Sequence, residues 1–293
     1  MISAPKITII LSFKNGGKHL RTAVDSILIQ NFQDWELLLF DDGSEDKSHL
    51  SIKNLNDNRI RFFRFEKSEG LAVRLNQGIK LARGKYIARM DHDDVCFFNR
   101  LSVQFEFLEA NKEVDLVSSN CLLIDEDSNK LGSLYIDNSI SYKGSGITET
   151  FPFPHPTWMG KRKWFKLYKY KEKPSPYRCE DQELLFRAYK ETNIMHLNTT
   201  LLAYRMCNKN KNILIKIRTY FAIFCFQLPT LLKAKLYTKI LLSIAVFILR
   251  IINLIFILSH VIKVGRSYNE PSDDTKLRWS KTITILKDAR LEE

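Results

Sequence analysis

The chain has 293 residues, 45% of them hydrophobic and 27% charged, which supplies a sizeable core and excludes a disordered tail. Lys and Arg number 45 against 33 Asp and Glu, a formal +12 that on its own suits nucleic acid, an anionic membrane surface or an acidic substrate. The five cysteines, Cys96, Cys121, Cys179, Cys207 and Cys225, are odd in number and far apart, which argues against a disulfide framework or a zinc site and for a reducing, cytoplasmic setting.

Ile7 to Phe13 is a largely apolar run, the pattern of a strand buried on both faces. Leu20, Val24, Ile27 and Leu28 form one helix face, and Glu36 to Phe40 is a second strand closed by Asp41-Asp42-Gly43-Ser44. Ile60 to Phe65 is a third strand. Leu71, Leu75, Ile79 and Ala82 predict a helix ending near Gly84, where glycine suits a left-handed cap. Lys85 to Met90 is a fourth strand running into Asp91-His92-Asp93-Asp94, followed by a helix marked by Leu101, Phe105 and Leu108, and a fifth strand at Leu116 to Ser119. Beyond Leu123 the alternation is lost: a turn is expected over 125–132 and a loop-rich region over 143–156. Strands alternating with helices predict βαβ units and a largely parallel sheet, with ligands bound beyond the strands' carboxyl ends, where both acidic clusters fall.

Three carboxylates in Asp91-His92-Asp93-Asp94 repel one another unless a cation neutralises them, and a hard divalent ion, Mg²⁺ or Mn²⁺, takes such oxygen ligands together with phosphate oxygens. Turn and N-cap roles explain the same aspartates without a ligand, and Asp42-Gly43 is a turn signal in its own right. A third pair, Glu180-Asp181, opens a helix with Leu184, Leu185 and Ala188 on one face.

ITIILSFKN, ELLLFDDGSEDKS, GLAVRLNQGIKLARGKYIARMDHDD, NRLSVQFEFLEAN, FPFPHPTWM, EDQELLFRA and LLAYRM occur in this order across residues 5 to 206. In that order they resemble the family 2 glycosyltransferases. The resemblance implies an α/β, GT-A-like (Rossmann-like), mainly parallel sheet flanked by helices, and transfer of one sugar from a nucleotide-diphosphate sugar, UDP-linked, with inversion. It implies that Asp41 contacts the base with Asp42 nearby, that Arg74 and Asn76 line the donor pocket, and that Asp91 lies near the ribose or sugar. Asp93, with Asp91, would hold Mn²⁺ or Mg²⁺, Asp181 would be the general base, and Glu180 and His155 would stand on the acceptor side. The Q-x-x-R-W motif of processive synthases is absent, which favours single transfer, and stepwise surface-glycan or lipid-linked oligosaccharide synthesis is the implied setting. The basic stretches at Lys161-Arg162-Lys163 and Lys169 to Lys173 read first as a solvated charged face and second as a contact to a phosphate-bearing acceptor.

Residues 1–208 hold 30 basic and 27 acidic side chains, the last 85 residues 15 and 6, so most of the charge excess lies in the tail. The chain therefore divides into a catalytic domain, 1–208, and a basic, apolar helical extension, 209–293. From Thr192 to Asn269 there is no Asp or Glu. The basic residues there are interleaved with aliphatic ones, which points to an anionic membrane surface and away from nucleic acid. Over Ile240 to Ile262, Lys239, Ser243, Arg250, Asn253 and His260 gather on one narrow side of a helix, which suits a helix in the membrane interface or against the domain better than a span. The short apolar run at Ile7 to Leu11 is no secretory signal, so a peripheral place on the inner face of the cytoplasmic membrane is expected. Two alternatives are a nucleotidyltransferase, with a faint phosphate-loop likeness at Lys14-Asn15-Gly16-Gly17-Lys18, and a non-enzymatic basic binding module.

Overall fold

The computed structural model describes residues 4–53, 55–135, 151–172, 179–206, 213–233, 237–258 and 269–291. Cys207, Lys173, His260 and part of the expected 143–156 loop lie outside the described residues, as do the side chains of Lys239 and Asn253.

Four strands form a parallel half-sheet: β1 (Ile7–Phe13) lies between β2 (Trp35–Asp42) and β4 (Tyr86–Asp91), with β3 (Ile60–Phe65) outside β2. β1 and β2 are buried at every position, as continuous apolar runs require, whereas edge strand β3 is only partly covered. The other half is mixed. β8 (Met159–Lys161) runs antiparallel between β4 and β6 (Leu116–Ile124), and β9 (Ile194–Arg205) pairs parallel with β6. The short β5 (Val95–Cys96) and β7 (Lys130–Leu134) pair antiparallel with β9 and β6. Helices α1 (Leu20–Leu28) and α3 (Arg100–Ala110) bury Leu20, Val24, Ile27, Leu101 and Leu108 on one face of the sheet. On the other face α2 (Leu71–Leu81), α4 (Arg162–Leu167) and α5 (Glu180–Ala188) bury Leu75, Ile79, Trp164, Phe165, Leu184 and Leu185.

Gly84 corrects one expectation. Helix α2 stops at Leu81, and Gly84 is absent from the left-handed region. A Cβ there would sit 2.5 Å from the Thr8 backbone nitrogen, and the Gly84 N–H donates to Thr8 Oγ1 at 2.8 Å, so glycine is needed for close approach to β1.

Two long helices, α6 (Ile213–Lys233) and α7 (Tyr237–Leu258), follow the sheet; among the described residues no helix is long and apolar enough to cross a membrane. The last helix, α8 (Asp273–Leu291), returns to the sheet. Its Trp279 and Leu286 join a cluster with Val95, Phe97, Leu122, Ile124 and Ala203, and Arg290 bonds Asp25 Oδ2 at 2.8 Å and Thr22 Oγ1 at 2.7 Å on α1. Trp279→Ala is expected to destabilise the whole protein by about 3–5 kcal/mol, measured as one cooperative denaturant transition at lower midpoint. A loss confined to a separate C-terminal transition would contradict this packing.

Candidate active site

The parallel register puts Phe13 beside Asp41 and Ser12 beside Asp91, so the loops after β1, β2 and β4 meet at one carboxyl edge. A cleft of about 470 Å³ opens there, lined by Ser12, Lys14, Asp42, Gly70, Asp91, His92, Glu172 and Glu180 among others.

Asp42 reaches the cleft wall but is heavily bonded. It accepts hydrogen bonds from Ser68 Oγ (2.8 Å), the Glu69 N–H (3.0 Å), the Gly70 N–H (2.9 Å) and Arg74 Nε (2.6 Å). Burial pushes its carboxyl up, and these donors together outweigh it and hold the pKa below the usual value. Arg74 is itself fully buried, stacked 3.5 Å over the Phe65 ring and donating to the Lys67 carbonyl. It thus stands behind the cleft and fixes the 67–70 loop. Asp41 is also fully buried, holds the Ser44 N–H at 2.8 Å, and lies 3.4 Å from Arg64 Nε and 3.9 Å from His49 Nδ1. Asn76 ties the segment before Glu172: it bonds both backbone groups of Tyr170 and the Glu172 carboxylate. Asp41, Arg74 and Asn76 do not line the cleft; Asp42 and Asp91 do.

At the end of β4 one carboxylate oxygen each from Asp91, Asp93 and Asp94 lies within 4.8 Å of the others. Both oxygens of Asp91 are bound by the buried Arg89, at 2.6 and 2.5 Å. Asp94 accepts the Arg205 N–H at 2.8 Å, while its Oδ2 is buried without a hydrogen-bond partner. Burial first, then the charges of Asp91 and Asp93, push Asp94 well above the carboxylate range. Three carboxylates, one arginine and an orphaned buried oxygen fit a hard divalent cation better than they fit a turn. Arg205 clamps this loop from β9, donating to the Asp93 carbonyl (2.8 Å), the Asp125 carbonyl (2.5 Å) and Ser128 Oγ (3.1 Å).

The first turn of α5 supplies the remaining acids. Glu180 faces the cleft, and burial, then the neighbouring Asp181 charge, push its pKa up to about 6. Burial likewise raises Asp181. Gln182 donates to Asp181 Oδ2 at 3.1 Å and is fixed by both backbone groups of Phe151. His155 is buried below, its Nε2 2.7 Å from the Tyr170 hydroxyl and its ring edge-on to Trp158. Burial, then Arg89, lowers its pKa well below the usual range, so it is neutral and does not line the cleft.

Two further sequence features take no part in this cleft. Lys161, Arg162 and Lys163 lie away from this cleft: Lys161 pairs with Tyr86 at the opposite end of β4, and all three line a separate basic cavity with Lys6 and Lys85. The Gly16–Gly17 loop cannot cradle phosphates as placed, because the N–H groups of Asn15, Gly16 and Gly17 are taken by Ser44, Ser48 and Asp46 side chains at 2.8, 3.1 and 2.9 Å. Sequence reasoning missed Arg89, Arg205 and Gln182. An arginine inside the apolar strand Tyr86–Asp91 was the available signal for Arg89, since a buried guanidinium requires a carboxylate.

The model of "Glycosyl transferase family 2" matches residues 8–192. EpsE of Bacillus subtilis, named as a glycosyltransferase, is 32% identical over 195 residues, covering 65% of this chain and 69% of EpsE. The uncharacterized glycosyltransferase MJ1057 of Methanocaldococcus jannaschii is 30% identical over 223 residues, covering 73% and 75%. In structure, TarS residues 1–349 of S. aureus, crystallised with UDP-GlcNAc, superimpose with a TM-score of 0.63 at 16% identity, over 96% of this chain and 80% of that one. That likeness gives the fold, a GT-A-like mixed sheet flanked by helices with a helical C-terminal extension. The match running through every strand that carries a cleft carboxylate makes this chain a glycosyltransferase, a member of glycosyl transferase family 2.

Proposed function

We propose that the protein transfers one sugar from a nucleoside-diphosphate sugar, UDP-linked, to a hydroxyl of a saccharide or lipid-linked acceptor, with inversion at the anomeric carbon. The observation that carries this reading is a single cleft walled by Asp91 and His92 on one strand end and by Glu180, neighbour of a Gln182-oriented Asp181, at the start of α5. UDP is favoured because TarS, which has the same fold, binds UDP-GlcNAc.

Asp181 is assigned as the base. Burial lifts its carboxyl above the usual value, which makes it a better proton acceptor, and the Gln182 side chain donates to Oδ2 and orients it. The acceptor hydroxyl gives its proton to Asp181 as its oxygen attacks the anomeric carbon, and the nucleoside diphosphate leaves from the opposite face. Glu180, on the cleft wall, orients the acceptor. Asp42 and Gly70 shape the donor side, while Asp41, Arg74 and Asn76 hold that wall from behind. Asp93, with Asp91 and Asp94 around it, would hold Mn²⁺ or Mg²⁺, which offsets charge developing on the leaving diphosphate. Stepwise synthesis of a surface or lipid-linked glycan, with the enzyme peripheral on the inner face of the cytoplasmic membrane, suits the basic, apolar extension.

A base raised by burial works only when deprotonated. The acid limb of kcat/KM is therefore expected above the ordinary carboxylate range, with activity lost as pH falls. The linkage to stability has the opposite sign: these raised carboxyls favour the native state when protonated, so stability falls as pH rises, for Glu180 until it has ionised above about 6. An acid limb near pH 4 would remove the argument from burial. The function itself is tested by thermal shift with UDP, GDP, dTDP and CTP, with and without Mn²⁺. Metal-dependent stabilisation by UDP above the others is expected; no shift with any nucleotide would end this reading.

A further inference from the structure

Helices α6 and α7 pack antiparallel, and their polar groups face each other. Ser243 is buried with its Oγ 3.3 Å from Gln227 Oε1, Phe224 stacks on Phe247 at 5.4 Å, and the Arg250 guanidinium lies 5.4 Å from the Tyr220 ring. The partner of each α7 residue moves backward along α6, from Gln227 to Tyr220, as α7 advances from Ser243 to Arg250. At about 100° per residue, Ser243 and Arg250 project on the side of α7 opposite Leu241, Ile248 and Ile252.

That opposite side is exposed and aliphatic. Leu241 is 68% exposed, Leu249 63%, Leu242 51%, Ile248 49% and Ile252 42%. A helix packed as in a water-soluble bundle does the reverse, hiding its apolar stripe and showing its polar one. Here the polar stripe supplies the seam and the apolar face is left outward, which is the arrangement of a helix whose outer solvent is lipid. Charge supports the same occupant: the chain from Thr192 to Asn269 carries Lys and Arg but no Asp or Glu, which complements an anionic bilayer. No helix among the described residues is long and apolar enough to cross a membrane.

We propose that the α6–α7 hairpin docks the enzyme on an anionic bilayer by seating the Leu241–Ile252 face in the interfacial layer. The hairpin also reaches the catalytic helix. Phe226 of α6 packs on Phe186 of α5 at 5.6 Å, and Ile240 joins the same core. Docking thereby sets the orientation of the helix whose first turn carries Glu180 and Asp181. Resting on the glycosyltransferase reading above, this narrows the acceptor to an amphiphile presented at the bilayer surface.

Flotation of the full chain with phosphatidylcholine vesicles, with and without phosphatidylglycerol, tests the proposal apart from catalysis. The protein is expected to float with anionic vesicles and to bind neutral ones at least about tenfold more weakly. Leu241→Ser with Leu249→Ser should cut partition to anionic vesicles by about tenfold per residue, while Mn²⁺-dependent UDP binding is unchanged. Failure to float on either vesicle, or flotation unaffected by the double substitution, overturns the docking surface. If the wild type instead sediments as a dimer that the double substitution dissociates, a second copy covers this face and the bilayer proposal fails. Loss of UDP binding in the wild type would fail the glycosyltransferase reading and leave the flotation result standing.

Discussion

Asp181→Asn is expected to lower kcat by about 10²–10⁴-fold while leaving the affinity for UDP unchanged. The amide matches the carboxylate in size and still contacts Gln182, so the 3.1 Å contact from Gln182 Nε2 survives through the amide oxygen. What is lost is the ability to take a proton. Removing the Asp181 charge also removes the second-largest cause of the Glu180 shift, so the remaining carboxyl should titrate below about 6. Glu180→Gln is expected mainly to raise the acceptor KM. Single-turnover rates with each variant separate the roles, and a Glu180→Gln enzyme that binds both substrates but does not turn over would transfer the base assignment to Glu180.

Asp93→Asn is expected to reduce Mn²⁺-dependent UDP affinity by at least about 100-fold, beyond the usual cost of losing a residue that merely orients a ligand. Its reasoning is local charge. Asp91 is neutralised by Arg89 through both oxygens, and Asp94 holds the Arg205 N–H with one of its own. Asp93 completes the group, its carboxylate oxygen within 4.8 Å of those of Asp91 and Asp94, so its loss removes one charged ligand from the ion's surroundings. Calorimetric titration of UDP with Mn²⁺, then with chelator, checks this: the wild type with chelator and the variant with Mn²⁺ should behave alike. Metal dependence that persists in Asp93→Asn and vanishes in Asp94→Asn would place the ion deeper, on the orphaned Asp94 oxygen.

The parallel half of the fold is legible in the sequence because its signals are local. β1 and β3 run as expected from Ile7 to Phe13 and Ile60 to Phe65, since short apolar or aromatic-rich runs bounded by turns have few other readings. The mixed half is hidden for a physical reason. β9 buries His196 and Thr200 among its apolar residues, and His196 is satisfied only by Ser118 (2.6 Å) and Asn120 (2.8 Å), which are distant in sequence. No window on one strand shows that compensation. β8 is three residues long and pairs with β4 and β6 on either side, too short for any periodicity.

The same distinction governs the site. Carboxylates clustered at strand ends announce themselves, and Asp91 and Glu180 do share a cleft. Their support does not: Arg205 reaches Asp93 from a strand distant in sequence, and Arg89 and Gln182, though neighbours of Asp91 and Asp181, show their roles only once burial is known. Lys161 to Lys163 shows the converse: a charge run carries no information about which end of a strand it occupies. The tail is amphipathic in its sequence, but only the packing of Ser243 on Gln227 shows which face turns outward.

The most direct test of the account is a crystal structure with UDP and Mn²⁺ bound. The account predicts an ion on Asp93 between the protein and the diphosphate, the nucleotide in the cleft beside Gly70 and Asp42, and Asp181 open toward the acceptor side. A nucleotide bound elsewhere, or diphosphate held in this cleft with no ion on any of Asp91, Asp93 and Asp94, would contradict it.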